Sequence, residues 1–249
     1  MANRFVLNTI SYHGSGAIKE IPGELQRRGY KKIFVCSDPD LVKFGVTAKV
    51  TDELDAAGID IFHCDVMDGS FVPNFAMGLE DIKAVRAATN KLVDVHLMVE
   101  NPASKVELFT SAGADIIYIH PESERYVVKT LAAIKALGKS AGIAVNPDTS
   151  ISEVEEMLNL CDYVMVMTVN PGFAGQSFIE FTNDKVRRLA ALKERFGFKL
   201  MIDGACSPER VRDLSAIGAD GFILGTSALF GKDAGYEECL RRLRAGEVY

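Results

Sequence analysis

The chain has few cysteines, and none of them forms a CxxC pair. Its five cysteines are Cys36, Cys64, Cys161, Cys206 and Cys239, at irregular spacings in 249 residues. An odd number of scattered cysteines without a secretory leader argues against a disulfide framework. The first residues, MANRFVLNTI, lack the charged and apolar regions of a signal peptide. We therefore expect a cytoplasmic protein.

Long apolar runs and excess positive charge are also lacking. No apolar run approaches the roughly 18 residues that a membrane-spanning helix needs. Lys and Arg number 28 against 34 Asp and Glu, which gives a net charge of -6. This balance does not favour nucleic acid or an anionic membrane as a partner. We expect a small-molecule substrate, and an anionic one would require backbone amides or a locally positive pocket.

Short apolar runs that alternate with amphipathic segments are plentiful. Runs with strand character lie at 32–37, 60–65, 92–98, 115–120, 141–146, 162–168, 199–203 and 221–225. Helical patterns lie at 46–58, 79–89, 102–113, 126–138, 150–161 and 184–197, and many end in glycine. Such alternation indicates parallel strands with crossover helices. Eight units in one chain favour an α/β protein with a closed (β/α)₈ TIM barrel over an open doubly wound sheet.

One segment does not fit a standard barrel. Residues 4–30 have the pattern of a strand, a glycine turn and a helix ahead of the run at 32–37. We predict an atypical N-terminal strand–helix extension over 1–30 and the barrel over 31–249. The alternative, which the sequence leaves open, is that 5–11 forms the first barrel strand.

Polar residues cluster at the ends of three predicted strands. Alternation along a strand puts His63 and Asp65 on one face, and likewise Asp94 and His96. Asp203 ends the run KLMID. A lone strand histidine is usually a hydrogen-bonded core residue, and a lone Asp after a strand is usually a cap. Because barrel sites lie at the C-terminal ends of strands, these groups instead predict an acid/base site or a transition-metal site for zinc, manganese or iron.

Three loops after strands have features of a substrate site. The segment VNPGFAGQSF (169–178) is long for a plain turn and is typical of loops that cover substrates. DGACS (203–207) and LGTSALF (224–230) place glycine and hydroxyl residues before an expected helix start. That arrangement binds anions through backbone amides, at the usual phosphate position of barrels.

Some residues near the strand ends have two readings. His120 ends the run at 115–120 and can face the barrel mouth. Met67, Met98, Met165 and Met167 are expected mainly as core residues, although one or two would suit an apolar floor beside a reactive carbanion.

Seven motifs in one order resemble the ribulose-phosphate 3-epimerase family. They are HCDVMDGSFVPNF, VDVHLMVENP, IHPES, AVNPDTS, VMTVNPGFAGQSF, MIDGACS and GTSALF, within about 58–232. The resemblance implies a (β/α)₈ barrel isomerase of the pentose phosphate pathway that inverts C3 of a ketose phosphate with one divalent ion (Zn, Mn, Fe or Co). The usual reaction converts D-ribulose 5-phosphate to D-xylulose 5-phosphate. IHPES, DGAC and GTSALF are closer to the allulose-6-phosphate 3-epimerases, which yield D-fructose 6-phosphate. We also expect a homo-oligomer.

The resemblance also implies roles for individual residues. The implied metal ligands are His63, Asp65, His96 and Asp203, with Asp65 and Asp203 as the acid/base pair on opposite faces of C3. The implied substrate contacts are Ser37, His96, Gly172, Phe173, Ala174, Gly175, Gly204, Ala205, Thr226 and Ser227. Three positions depart from the family pattern. Ala205 replaces a glycine, Thr226-Ser227 replaces Gly-Ser, and Ser37 matches poorly. The Cβ of Ala205 lies where the backbone would approach phosphate.

The first part of the chain resembles a different family. Residues 1–58 are similar to the start of iron-dependent alcohol dehydrogenases, but that family's cofactor glycines and metal histidines do not follow. We expect no dehydrogenase activity. A catalytically impaired fusion or engineered barrel scaffold is therefore the alternative to an epimerase. A barrel aldolase or decarboxylase is a weaker alternative, because no predicted strand presents an inward lysine near its C-terminal end.

Overall fold

The structure, a computed structural model, describes residue 52 and residues 54–249. Several predictions lie outside the described residues: the extension over 1–30, both candidates for the first barrel strand, and Ser37. The segment that resembles alcohol dehydrogenases also lies almost wholly outside them.

Seven parallel strands form the curled wall of a (β/α)₈ barrel. They are β1 (Ile61–Met67), β2 (Leu92–Met98), β3 (Ile116–Ile119), β4 (Ser140–Val145), β5 (Tyr163–Met167), β6 (Lys199–Asp203) and β7 (Gly221–Phe222). Each strand pairs with the next in chain order. Seven of the eight predicted strands therefore have counterparts here, although β7 covers only the first part of 221–225.

Helices follow the strands in the pattern expected of a barrel. They are α1 (Leu79–Ala88), α2 (Val106–Ala112), α3 (Val127–Ala136), α4 (Ile151–Val154), α5 (Thr182–Phe196), α6 (Pro208–Ile217) and α7 (Tyr236–Arg244). Short 3-10 turns lie at Pro102–Ser104, Pro121–Ser123 and Glu155–Leu160. None of the helices in the described part of the chain is long and apolar enough to cross a bilayer.

One predicted helix has a different form. The segment 150–161 folds as the short α4 followed by a 3-10 turn, not as one α-helix. Ser150 and Glu153 form a capping box that begins α4. Val154 and Leu158 are both fully buried, so the tighter turn keeps the apolar contacts that the sequence pattern predicts.

The two faces of the sheet have different environments. Phe62, Cys64 and Val66 of β1 belong to the large core cluster, which also contains buried residues of the helices. Tyr118 and Met165 belong to a smaller cluster that contains residues of β3, β4, β5 and β6. Because side chains alternate along a strand, the polar residues of β1 point away from the large core.

Candidate active site

Four polar side chains meet where β1, β2 and β6 run toward their C-terminal ends. One ligand atom from each of His63, Asp65, His96 and Asp203 lies within 4.8 Å of the others. The register of β1 and β2 sets Asp65 opposite His96 and His63 opposite Asp94. The structure therefore brings together the four residues that were predicted to bind a metal.

His63 is held between two carboxylates. Its Nδ1 lies 2.5 Å from Oδ1 of Asp94, and its Nε2 lies 3.2 Å from Oδ1 of Asp65. Burial disfavours the charged imidazolium, but Asp94 and Asp65 outweigh this effect and raise the pKa of His63 well above its ordinary value. A carboxylate on one ring nitrogen orients the other toward a metal. Alternation along the strand places Asp94 on the same face as His96 but does not reveal its contact with His63.

His96 is completely buried and contacts both sides of the cluster. Its Nδ1 lies 3.2 Å from Oδ1 of Asp65 and 3.7 Å from Oδ2 of Asp203. Its Nε2 lies 2.8 Å from Nε2 of His120, which is also fully buried, behind His96. Burial is the main reason that the pKa of His96 is lowered to about 4. The ring is therefore neutral near pH 7, as a metal ligand must be.

The two carboxylates have opposite pKa shifts. Burial and the neighbouring Asp65 carboxylate raise the pKa of Asp203 to about 7. Desolvation also acts to raise the pKa of Asp65, but His63 and His96 hold it well below its usual range. A divalent cation would offset the repulsion between these carboxylates, and two imidazoles with two carboxylates are a donor set that transition metals accept. The residues present therefore fit such an ion.

A cavity of about 160 Å³ opens beside the two carboxylates. Its walls contain nearly all the predicted substrate contacts: Gly172, Phe173, Ala174, Gly175, Gly204, Ala205, Thr226 and Ser227. His96 is not part of the lining, so the structure does not place it against this cavity as a substrate contact. Among the described residues, the lining includes no lysine or arginine. An anion bound here would rely on backbone amides.

Methionines form an apolar part of the same cavity. Met67, Met98 and Met167 line it, whereas Met165 belongs to the small core cluster. Three of the four methionines singled out in the sequence therefore lie where they can limit water near the carboxylates.

The loop after β6 contains a strained position. Ala205 has a φ of +47°, in the left-handed region that L-residues with a side chain rarely adopt. At Gly204 a Cβ would lie 2.7 Å from Cγ2 of Val169, so only glycine fits there. The backbone at Ala205 thus adopts a glycine-like conformation although the residue carries a Cβ.

The loop after β7 differs from its prediction. Thr226 and Ser227 lie in a turn and do not precede a regular helix. The amide of Leu229 donates to the carbonyl of Gly225 at 2.9 Å, as does that of Phe230 at 3.1 Å. Backbone amides of this turn lie beside the cavity, but the turn lacks the macrodipole of a long helix.

Side chains fix the loop after β5. Nδ2 of Asn74 donates to the carbonyl of Gly172 at 2.7 Å, and Nε2 of Gln176 donates to the carbonyls of Asn170 at 2.6 Å and Phe173 at 2.7 Å. Asn74 was not recognised from the sequence, because its partner is 98 residues away. The only sequence feature that could have pointed to Asn74 is its place in the motif HCDVMDGSFVPNF.

Comparison with solved structures shows the same fold at low sequence identity. A 3-keto-L-gulonate-6-phosphate decarboxylase from Vibrio cholerae superimposes with a TM-score of 0.59 at 17% identity, over 81% of this chain and 91% of that chain. A phosphoribosyl anthranilate isomerase from Thermus thermophilus gives a TM-score of 0.56 at 14% identity, over 80% and 92% of the two chains. These likenesses establish the TIM-barrel fold alone.

Comparison of sequences is more specific. The model of the ribulose-phosphate 3 epimerase family matches residues 41–230. The ribulose-phosphate 3-epimerase of Aquifex aeolicus is 41% identical over 178 residues, which are 71% of this chain and 80% of that protein. The Escherichia coli K12 protein of the same name is 39% identical over 193 residues, 76% of this chain and 85% of the relative. From these matches, the chain belongs to the ribulose-phosphate 3-epimerase family.

Proposed function

We propose that the chain is a metal-dependent 3-epimerase that interconverts D-ribulose 5-phosphate and D-xylulose 5-phosphate. The observation that carries the proposal is the gathering of two imidazoles and two carboxylates within 4.8 Å, next to a cavity lined by glycine-rich loops. The names of relatives at about 40% identity support the same reaction.

His63, Asp65, His96 and Asp203 would hold one divalent ion, which we take to be zinc, manganese, iron or cobalt. Such an ion supplies Lewis-acid stabilisation for negative charge on the substrate oxygens. Neighbouring residues orient the metal-binding atoms and set their protonation. Asp94 directs Nε2 of His63 toward the cluster, and burial keeps His96 neutral.

The two carboxylates carry out the proton transfers. The reaction removes the proton on C3, next to the C2 carbonyl, and returns a proton to the opposite face of the enediolate. Asp65 extends from β1 and Asp203 from β6, so they approach the cavity from different strands. One acts as base while the other acts as acid, and their roles exchange in the reverse direction.

The loops around the cavity bind the phosphate and limit water. Backbone amides near Gly204, Ala205, Thr226 and Ser227 are the proposed phosphate contacts. The loop at 172–175 would cover the sugar phosphate. With the methionines of the wall, it would keep out water that otherwise protonates the enediolate without control of the face.

Two alternatives remain distinct from this proposal. The motifs IHPES, DGAC and GTSALF favour epimerisation of D-allulose 6-phosphate to D-fructose 6-phosphate. Strain at Ala205 favours a catalytically impaired scaffold. The division at 30/31, cytoplasmic location and homo-oligomeric assembly stay predictions.

Activity assays of the purified chain separate these functions. Ribulose 5-phosphate and allulose 6-phosphate are supplied in turn, with and without a chelator, and then with added zinc, manganese, iron or cobalt. We expect faster turnover of ribulose 5-phosphate, loss of turnover with the chelator, and recovery with metal. Faster turnover of allulose 6-phosphate would reassign the substrate. A folded, metal-loaded chain that converts neither sugar would support the scaffold alternative.

A further inference from the structure

Behind His96 lies a second buried histidine that the proposed reaction does not use. Nε2 of His96 and Nε2 of His120 are 2.8 Å apart, and both side chains are fully buried. The rings stack with an interplanar angle of 29°, and the ring of Phe71 packs against His120 with centroids 4.8 Å apart. Two nitrogens at this distance share one proton, so one ring donates and the other accepts.

The direction of that hydrogen bond decides what His96 offers to the cluster. Nδ1 of His96 faces Asp65 and Asp203, and it can bind a cation only when it carries no proton. A neutral imidazole has a single N–H. The proton of His96 must then lie on Nε2 and be donated to His120.

The same logic fixes the proton of the second ring. If Nε2 of His120 accepts from His96, the N–H of His120 lies on Nδ1. That atom lies 3.4 Å from Oε2 of Glu122. This contact is electrostatic, because Nδ1 of His120 has no hydrogen-bond partner within the described residues. The opposite assignment would turn an unprotonated Nδ1 toward a carboxylate, which is unfavourable.

Glu122 is itself held in position. The hydroxyl of Thr149 and the amide of Asn146 both donate to its Oε1, the amide at 3.3 Å, which leaves Oε2 for His120. Burial acts to raise the pKa of Glu122, but the contacts with His120 and Thr149 outweigh it and lower the pKa below its ordinary value. Glu122 is therefore a fixed negative charge near Nδ1 of His120.

We propose that Glu122 and His120 act as a positioning relay, in which Glu122 selects the tautomer of His120 and His120 selects the tautomer of His96 that leaves Nδ1 free for a metal ion. The relay rests on the proposed metal site. Neither residue is proposed to touch the substrate. Oriented partners of this kind typically change metal affinity by about 10–100-fold.

The test compares the wild-type chain with Glu122→Gln, which keeps the shape but removes the charge. Exposed Glu156 provides the matched control, Glu156→Gln. Imidazole ¹⁵N shifts report the tautomer of His120 in the zinc-loaded protein. Competition with a chromophoric chelator reports zinc affinity. We expect His120 of the wild type and of the control to carry its proton on Nδ1, and Glu122→Gln to bind zinc about tenfold more weakly.

The outcomes separate the relay from the metal site. In the zinc-loaded wild type, a His120 ring protonated on Nε2 would overturn the relay without any variant, even if Glu122→Gln failed to fold. An unchanged zinc affinity in folded Glu122→Gln would overturn the relay alone. Failure of the wild-type chain to bind zinc, manganese, iron or cobalt would instead overturn the metal site on which the relay depends.

Discussion

Oδ1 of Asp94 lies 2.5 Å from Nδ1 of His63, and the Asp94 side chain is fully buried. The other carboxylate oxygen of Asp94 has no hydrogen-bond partner among the described residues. Asp94 therefore favours a proton on Nδ1 of His63, and Nε2 is the ring nitrogen that faces Asp65 and the cluster. This pair aims His63 at the centre of the cluster in the way that carboxylate partners orient metal-binding histidines.

Replacing Asp94 tests that role. Asp94→Asn keeps a hydrogen-bond acceptor but removes the charge, so we expect zinc affinity to fall by about tenfold. Competition with a chromophoric chelator measures the affinity, and circular dichroism verifies the fold. Asp184→Asn, on the exposed surface of α5, is the control and should bind zinc as the wild type does. Equal affinities in both variants would show that Asp94 does not support the site.

The contact of Asn74 with the loop after β5 has a kinetic consequence. Asn74→Ala removes the donor to the Gly172 carbonyl. A hydrogen bond contributes on the order of 1 kcal/mol, so we expect KM for the sugar phosphate to rise about fivefold with a smaller change in kcat. Asn183→Ala removes an exposed contact with Glu180 and serves as the control. An unchanged KM in Asn74→Ala would mean that this contact does not help to cover the substrate.

The left-handed backbone at Ala205 makes a prediction about stability. A side chain in this conformation destabilises the folded state by roughly 1–2 kcal/mol. Glycine in turn lowers the stability by roughly 0.5–1 kcal/mol relative to alanine, because it increases the conformational entropy of the unfolded chain. Urea unfolding should therefore show Ala205→Gly to be as stable as the wild type or more stable by up to about 1.5 kcal/mol. Ala205→Val should be less stable by about 2 kcal/mol, because β-branched residues fit positive φ poorly. A valine variant as stable as the wild type would contradict the conformation.

Local pattern was enough to predict the strands and the inner face of β1. His63 and Asp65 alternate with Cys64, and burial of Cys64 in the large core turns the other two toward the site. The hydrophobic pattern also located β2 to β6, because strands buried on both faces read as continuous apolar runs.

Contacts between distant residues were not predictable in the same way. Asp94 meets His63 only through the register of two neighbouring strands, and His96 meets His120 only because β2 and β3 are adjacent. The sequence left open whether His120 faces the barrel mouth, and tertiary packing buries it completely against His96. The substrate contacts proposed for the cavity were inferred from the family resemblance. The alternation of side chains along strands did not predict them.

Removal of the metal should change stability as well as activity. A ligand at 100 times its Kd stabilises the folded state by about 2.7 kcal/mol, provided that it does not bind the unfolded chain. We expect zinc at that concentration to raise Tm and a chelator to lower it, as measured by differential scanning calorimetry. Asp65→Asn should lose most of the response because it removes a charged donor from the cluster. A Tm that does not respond to any of the four metals would contradict a metal site in the native fold.

In the proposed mechanism, Asp65 and Asp203 transfer protons to and from C3 beside the cluster. Its most direct test is deuterium incorporation at C3 of ribulose 5-phosphate in D₂O, compared between the wild type and Asp203→Asn, each saturated with metal. We predict rapid incorporation by the wild type. The folded variant, with weakened metal binding, should be slower by about 10²–10⁴-fold, the usual contribution of general acid–base catalysis. Incorporation at the wild-type rate in Asp203→Asn would contradict a role for Asp203 in the proton transfer.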